Sequence, residues 1–143
     1  MKGKFQLKQH GFSTVELLAV IAIIAILASI AIPKYQTHID RAEITEAKSE
    51  LQYLAKTMED YYLMNNLTYS SNLNTVTGIV GTIKTNGGAD YVLTAESCAD
   101  GAGGSLSLSE CVKLIATSPN GLNKLTIDSR GNKTFNGTTG WPE

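Results

Sequence analysis

From Leu17 to Ile32, every residue except Ser29 is aliphatic or alanine. The stretch from Phe12 to Ile32 holds about 21 residues, enough at roughly 1.5 Å per helical residue to cross a hydrocarbon core of about 30 Å. The pattern predicts one membrane-spanning helix over 12–33. Pro33 closes the apolar run, but a proline inside a longer helical pattern kinks the helix instead of ending it. Helical spacing does resume: Ile44, Ala47, Leu51, Leu54, Met58 and Tyr61 lie three or four apart and trace one face. Asp40, Arg41, Glu43, Glu46, Lys48, Glu50 and Glu59 fall mostly off that stripe, which predicts an amphipathic half, 34–65, lying on a sheet. A coiled coil is the competing reading, weakened because the pattern lasts only about three heptads. Asn65-Asn66 reads as the helix end.

The remainder changes period. Residues 66–89 are rich in Thr, Asn and Gly and read as a variable loop with a short strand at Ile79 to Ile83. Over 90–143, Tyr91 to Ala95, Lys113 to Thr117 and Leu125 to Ile127 read as strands, and Asp128-Ser129-Arg130-Gly131 as a turn into a return strand at Lys133 to Phe135. The expected class is α+β: a long N-terminal helix packed on an antiparallel sheet of three to four strands.

Composition narrows the function. A chain of 143 residues whose first apolar run is unavailable to a soluble core has room for one modest domain. Net charge is −1, and Lys2, Lys4 and Lys8 sit ahead of the apolar run, so the chain beyond them is more acidic still. That argues against a broad charge-driven grip on nucleic acid. Clustered lysines beside a span stay cytoplasmic, which puts the C-terminal head outside. An ordinary signal peptide has a shorter apolar core followed by a small-residue cleavage site, unlike this run. Cys98 and Cys111 flank a glycine-rich segment far from any histidine; a disulfide, implying export, is expected, with two free thiols as the alternative. Zinc would need a second pair of ligands, so no metal and no cofactor are expected. No nucleophile and base are spaced as a catalytic set, His38 reads as a solvated helix residue, and the glycines at 101, 103 and 104 precede no Lys-Ser/Thr of a phosphate loop. No enzyme is expected. The glycosylation-like strings at Asn66, Asn132 and Asn136 read as chance in an Asn/Thr-rich chain.

One residue is discordant. Glu16 stands at the start of the apolar run, where a carboxylate costs several kcal/mol unless neutralised or paired, and no Lys or Arg occurs between Lys8 and Lys34. A new amino terminus would supply the missing charge. The order Lys2 to His10, Gly11, Phe12, Glu16, Leu17 to Ile32, Pro33 closely resembles the precursors of type IV pilins and the related pseudopilins, with a short basic leader ending in Gly, then Phe, a Glu at the fifth mature position and a long aliphatic helix. Two departures stand out: Thr14 where many members carry leucine, and Ala25 where many carry a mid-run glycine.

The resemblance implies a leader over 1–11 cut between Gly11 and Phe12 by a prepilin peptidase, methylation of the Phe12 amine, a helix over 12–33 kinked at Pro33, and a head over 34–143. It implies assembly through Glu16 paired with the Phe12 terminus of a neighbouring subunit; the local alternative for Glu16 is snorkelling or bonding to its own terminus. The implied partners are copies of itself or other pilins, the peptidase and an inner-membrane assembly platform, with residence in the inner membrane before assembly and in an extracellular pilus after it. Motility, adhesion or DNA uptake would be properties of the filament. A minor pilin at the tip or in priming, binding DNA or a surface, and a pseudopilin of type II secretion are the alternatives. For DNA, Lys113, Lys124, Arg130 and Lys133 are the candidate basic face, with Trp141 for stacking.

Overall fold

The computed structural model describes residues 12–76, 78–79 and 81–142. The expected leader, Gly11 included, lies outside them. Helix α1 spans Thr14–Met64 and contains Pro33. By its contacts the chain divides into two units, residues 1–38 and residues 39–143.

In the first unit, the described residues are almost all exposed: Ile23, Leu27 and Ile30 are 58%, 62% and 57% accessible, and only Ala28 is half-buried. Such a surface is stable only against lipid or other protein. Ser29 Oγ donates to the Ile26 carbonyl at 2.7 Å and Thr37 Oγ1 to the Pro33 carbonyl at 3.0 Å, so both hydroxyls are satisfied within the helix.

The second unit is built on one stripe of the helix. Ala47, Leu51, Leu54 and Met58 are at most 2% exposed, with Ile44 and Tyr61 half-buried at its ends, as the spacing predicts. They pack with Tyr91 and Leu93, Val112, Leu114 and Ala116, and Leu125 and Ile127. The helix stops where Asn66 and Leu67 take left-handed backbone (φ 52° and 56°), the Leu67 amide reaching back to the Tyr62 carbonyl at 3.1 Å.

The strands are β1 (Thr82–Ile83), β2 (Tyr91–Ser97), β3 (Val112–Thr117), β4 (Lys124–Asp128), β5 (Lys133–Phe135) and β6 (Thr138–Thr139). They pair antiparallel in chain order. The sheet thus has six strands where three to four were expected. The additions are two-residue edge strands in Gly- and Thr-rich sequence, too short to display alternation. β1 occupies only Thr82–Ile83 of the strand expected from Ile79, and Val80 lies outside the described residues.

The segment before β1 contributes more to the core than its polar composition suggests. Tyr69, Leu73, Val76 and Ile79 are all buried in the cluster beneath the sheet, with a short 3₁₀ turn (Leu73–Thr75) capped by Asn72. Just after β1, Asn86 is tied to the helix, its amide and side chain both donating to the Glu46 carboxylate at 2.7 Å.

Because Leu51 is fully enclosed between helix and sheet, Leu51→Ala removes buried methyl groups and leaves a cavity. The expected loss is about 2–5 kcal/mol of stability, read as a lower melting temperature by circular dichroism of the full chain in detergent.

Candidate functional site

The lone acid of the apolar run sits in the first turn of α1. Glu16 Oε2 accepts a hydrogen bond from the Ser13 amide at 3.3 Å, and Ser13 Oγ accepts from the Val15 amide at 3.4 Å. Ser13 and Glu16 therefore cap the helix reciprocally, in the manner of a capping box. Ser13 is absent from the residues expected to matter, although Ser-x-x-Glu ahead of an apolar run is a readable signal. Phe12 is 80% exposed, and Glu16 is exposed as well. The donor is the Ser13 peptide amide and not a chain terminus, so the bond is a helix cap, distinct from either alternative named for Glu16. Pro33 lies mid-helix, where its missing N–H leaves the Ser29 carbonyl without its helical donor.

On the head, Cys98 and Cys111 are bonded, with Cα atoms 5.5 Å apart and side chains buried. The bridge closes the connection between β2 and β3, as expected, and a loop of this size is worth about 3 kcal/mol on the chain-entropy argument. Inside it, Asp100 Oδ1 accepts from the Ala102 and Gly104 amides, each at 2.8 Å, and these bonds hold its carboxyl below the ordinary carboxylate range. Glu110 accepts from the Ser107 amide and hydroxyl at 3.0 and 2.9 Å, with the same effect. The loop is also fastened to the helix end: the Tyr69 amide donates to the Leu108 carbonyl at 2.9 Å, and Tyr62 stacks on Tyr69 with ring centroids 4.3 Å apart.

The structure does not gather the candidate basic residues into one face. In register, Lys113 pairs with Asp128 and Lys124 with Thr117, so these two lysines share the outer face but lie at opposite ends of their strands. Lys113 is in addition ion-paired with Glu96 at 2.7 Å. Lys133 lies opposite Ile127, hence on the helix side of the sheet, with its Nζ 4.7 Å from the Trp141 ring centroid. The indole is half-buried, and its Nε1 donates to the Thr126 and Thr134 carbonyls at 3.0 and 3.1 Å. Trp141 is thus committed to the fold and is not free to stack on a base. Lys124 and Arg130 are exposed. His38 is exposed on the helix, as expected.

A long apolar helix continued by a stripe that carries an antiparallel sheet with a bridged loop is the architecture of a type IV pilin. The family described as "Type IV minor pilin ComP, DNA uptake sequence receptor" matches residues 33–123, and the chain belongs to that family. The prokaryotic N-terminal methylation motif matches residues 6–32, across Gly11, Phe12 and Glu16. Among curated proteins, a fimbrial protein of Neisseria meningitidis is 38% identical over 88 residues, 62% of this chain and 49% of the relative. A fimbrial protein of Pseudomonas aeruginosa is 47% identical over 55 residues, 38% of this chain and 36% of the relative. The type IV major fimbrial protein FimA of Dichelobacter nodosus is 45% identical over 51 residues, 36% of this chain and 33% of the relative. The chain spans half or less of the length of these relatives. No solved structure matches it.

Tyr69 reports on the fastening of the loop. It is 7% exposed, and burial, reinforced by its 2.8 Å hydrogen bond to Glu59, pushes its hydroxyl up to about 12. An unfolded tyrosine titrates near 10, so the stabilisation is fully present below about pH 10 and is lost as pH rises through about 12. Absorbance titration near 295 nm is expected to show Tyr69 lagging the exposed tyrosines together with Tyr91, which burial also raises, and Tyr69→Phe to shrink that late step by one tyrosine.

Proposed function

We propose that this chain is a subunit of a type IV pilus, cut between Gly11 and Phe12 by a prepilin peptidase, methylated at Phe12, and held in the inner membrane by residues 12–33 until an assembly platform adds it to the filament. The observation that carries the reading is the exposed apolar surface of α1 with a single carboxylate, Glu16, at its start. Lipid covers that surface before assembly, and the helices of other pilins cover it afterwards. The cap from Ser13 engages one oxygen of Glu16 through a neutral donor, so the charge itself still lacks a cation. The Phe12 amine of a neighbour supplies it, relieving the buried carboxylate only when subunits register. Pro33, which offers the Ser29 carbonyl no donor, is the point where the helix bends to fit the bundle. The head, 34–143, faces the outside.

Within the pilus, the chain acts as a minor pilin that binds DNA during uptake. The family match over 33–123 supports this role above that of a bulk structural subunit or a secretion pseudopilin. The head's chemistry suits a weak, electrostatic contribution from Lys124 and Arg130 rather than a broad basic platform.

Mass spectrometry of the mature chain is expected to find an N-terminus at methylated Phe12; a chain that begins at Met1 sinks the assembly mechanism. Glu16→Ala should leave the head folded and the chain in the membrane while its content in sheared filaments falls by an order of magnitude or more, and undiminished incorporation would count against pairing.

DNA binding is tested by gel shift with the purified full chain in detergent at several salt concentrations. Affinity should fall as salt rises, and Lys124→Ala and Arg130→Ala should each lower the salt slope by about one. Absent or salt-insensitive binding removes the receptor reading and leaves the pilus reading standing.

A further inference from the structure

The two ends of the sheet can be placed along the head's part of α1. Ala55, Met58 and Glu59 enclose a small cavity with Val112, Asp128 and Ser129, so the start of β3 and the end of β4 lie beside the far part of the helix. The opposite ends of these strands, and the turn 118–123 that joins them, therefore point back toward residues 40–48. Contacts there agree. Phe135, across from Leu125, lines a groove of about 350 Å³ with Arg41, Ile44 and Lys48. The Asn123 side chain meets the Tyr91 hydroxyl, on which the charges of Glu43 and Asp40 also act. Asp40 stands seven residues beyond Pro33, where the apolar run ends. Seven residues reach at most about 25 Å, so a chain anchored through 12–33 keeps this end of the head beside the bilayer.

Charge at this end is divided between two sides. Glu43 and Glu46 face the connection between β1 and β2: a Cβ on Gly87 would overlap the Glu43 carboxylate, and Asn86 holds Glu46. Arg41 and Lys48, seven apart and so on one helix face, lie on the Phe135 side. Lys124 belongs to that cationic side, because Asn136, next to Phe135, bonds both its amide and its carbonyl, at 2.7 and 2.9 Å. Between the two sides the turn carries Leu122, 71% exposed. The turn is held by the Ser118 amide on the Asn123 carbonyl at 2.8 Å and by the Asn123 amide on Ser118 Oγ at 2.9 Å, with Gly121 supplying left-handed backbone (φ 71°). A leucine fixed outward in this way buries nothing in its own head.

We infer that this turn rests on the bilayer surface while the chain waits in the membrane: Leu122 enters the headgroup region, and Lys124, with Arg41 and Lys48 behind it, meets lipid phosphates. An apolar side chain flanked by cations is the combination that binds at a membrane interface. The anchor selects lipid as the occupant, since it holds the turn beside a bilayer and so gives lipid a high effective concentration there. The side that bears Glu43 and Glu46 tilts away from the phosphates. The inference rests on the membrane-anchored pilus reading and adds a contact of the head to it. Extraction into a filament breaks that contact and returns Lys124 to solvent.

The test uses the full chain, reconstituted through its anchor into vesicles, with one added cysteine carrying an environment-sensitive fluorophore. Both native cysteines are closed in their own bridge, so the added thiol is labelled alone. A label at Pro119→Cys, in the turn, is expected to be quenched by lipids spin-labelled at the headgroup. A label at Ala102→Cys, in the loop at the opposite end of the sheet, should not be. With the turn label in place, Leu122→Ser should lower the ratio of quenched to unquenched label by about tenfold. Lys124→Ala should lower it by about fivefold in mixed vesicles of phosphatidylcholine and phosphatidylglycerol, and little in phosphatidylcholine alone. Near-ultraviolet circular dichroism matching the parent chain establishes that both variants keep the head. Equal quenching at the two label positions, or quenching that neither substitution changes, overturns the contact. Shielding of the turn that grows with the protein-to-lipid ratio and ignores the labelled lipid assigns the turn to a second copy and overturns it as well. A chain that alkaline carbonate strips from the vesicles fails the membrane-anchor reading itself, and this contact with it.

Discussion

The structure depends on one helix stripe being shared with a sheet. Ala47, Leu51, Leu54 and Met58 exclude water only because β2, β3 and β4 lay Leu93, Leu114, Ala116, Leu125 and Ile127 against them. A head of this size has one core, and without the helix its sheet would expose a whole apolar face. The helix therefore cannot be released in exchange for membrane or filament contacts. Whatever residues 12–33 do, the stretch from Ala47 to Met58 stays with the sheet. That lets one part of α1 change its surroundings from lipid to protein without unfolding the other.

The same separation explains why Glu16 is tolerated. A helix-capping hydrogen bond contributes about 0.5–2 kcal/mol, whereas a charged group in hydrocarbon costs roughly 2.5–3.5 kcal/mol on insertion scales and more in other treatments. The bond from the Ser13 amide orients the carboxylate and shares its charge, but it does not offset the cost of placing that charge in hydrocarbon. A free cation within a few ångströms would. In the proposed assembly the local cap and intermolecular pairing are successive partners for the two oxygens of one group, because the cap leaves one oxygen available.

Much of this fold is legible in the chain. The apolar run, the stripe from Ile44 to Tyr61, the Asn66 helix end and the strands around Leu93, Leu114 and Leu125 come from periodicity and turn chemistry, because each is fixed by neighbours close in sequence, and the disulfide from a lone cysteine pair with no histidine near it. The misses have a common cause. β6 has two residues and exists only because a longer strand offers it an edge, while β1 keeps only Thr82–Ile83 of the short strand expected from Ile79. Lys133 reads as a surface cation, yet its register opposite Ile127 turns it toward Trp141, and no local pattern encodes which strand face Trp141 will cover. Burial of Tyr69, Leu73, Val76 and Ile79 in a Thr- and Asn-rich segment is likewise invisible, since those residues meet the core at a distance along the chain. The Ser13 cap is a different case: its signal is local and readable, but it coincides with a stretch whose apolar run reads as membrane.

Charge is the feature that most restrains the functional reading. Among the described residues, Lys113 is neutralised by Glu96, Lys133 lies over an indole already hydrogen-bonded to the sheet, and Lys48 donates to the Pro142 carbonyl. The cations left on the outer sheet and its turns are few, and each phosphate contact contributes only about one counterion's worth of salt-dependent affinity. A single head would hold DNA weakly. Tight, sequence-tolerant capture would then need several heads engaging one duplex together, since linked weak sites can gain about 10²–10⁴ in avidity with no new contact per site. A filament is a scaffold that supplies such linkage, and on the proposed DNA-binding role it is the filament, more than any side chain on one head, that would set the strength of capture.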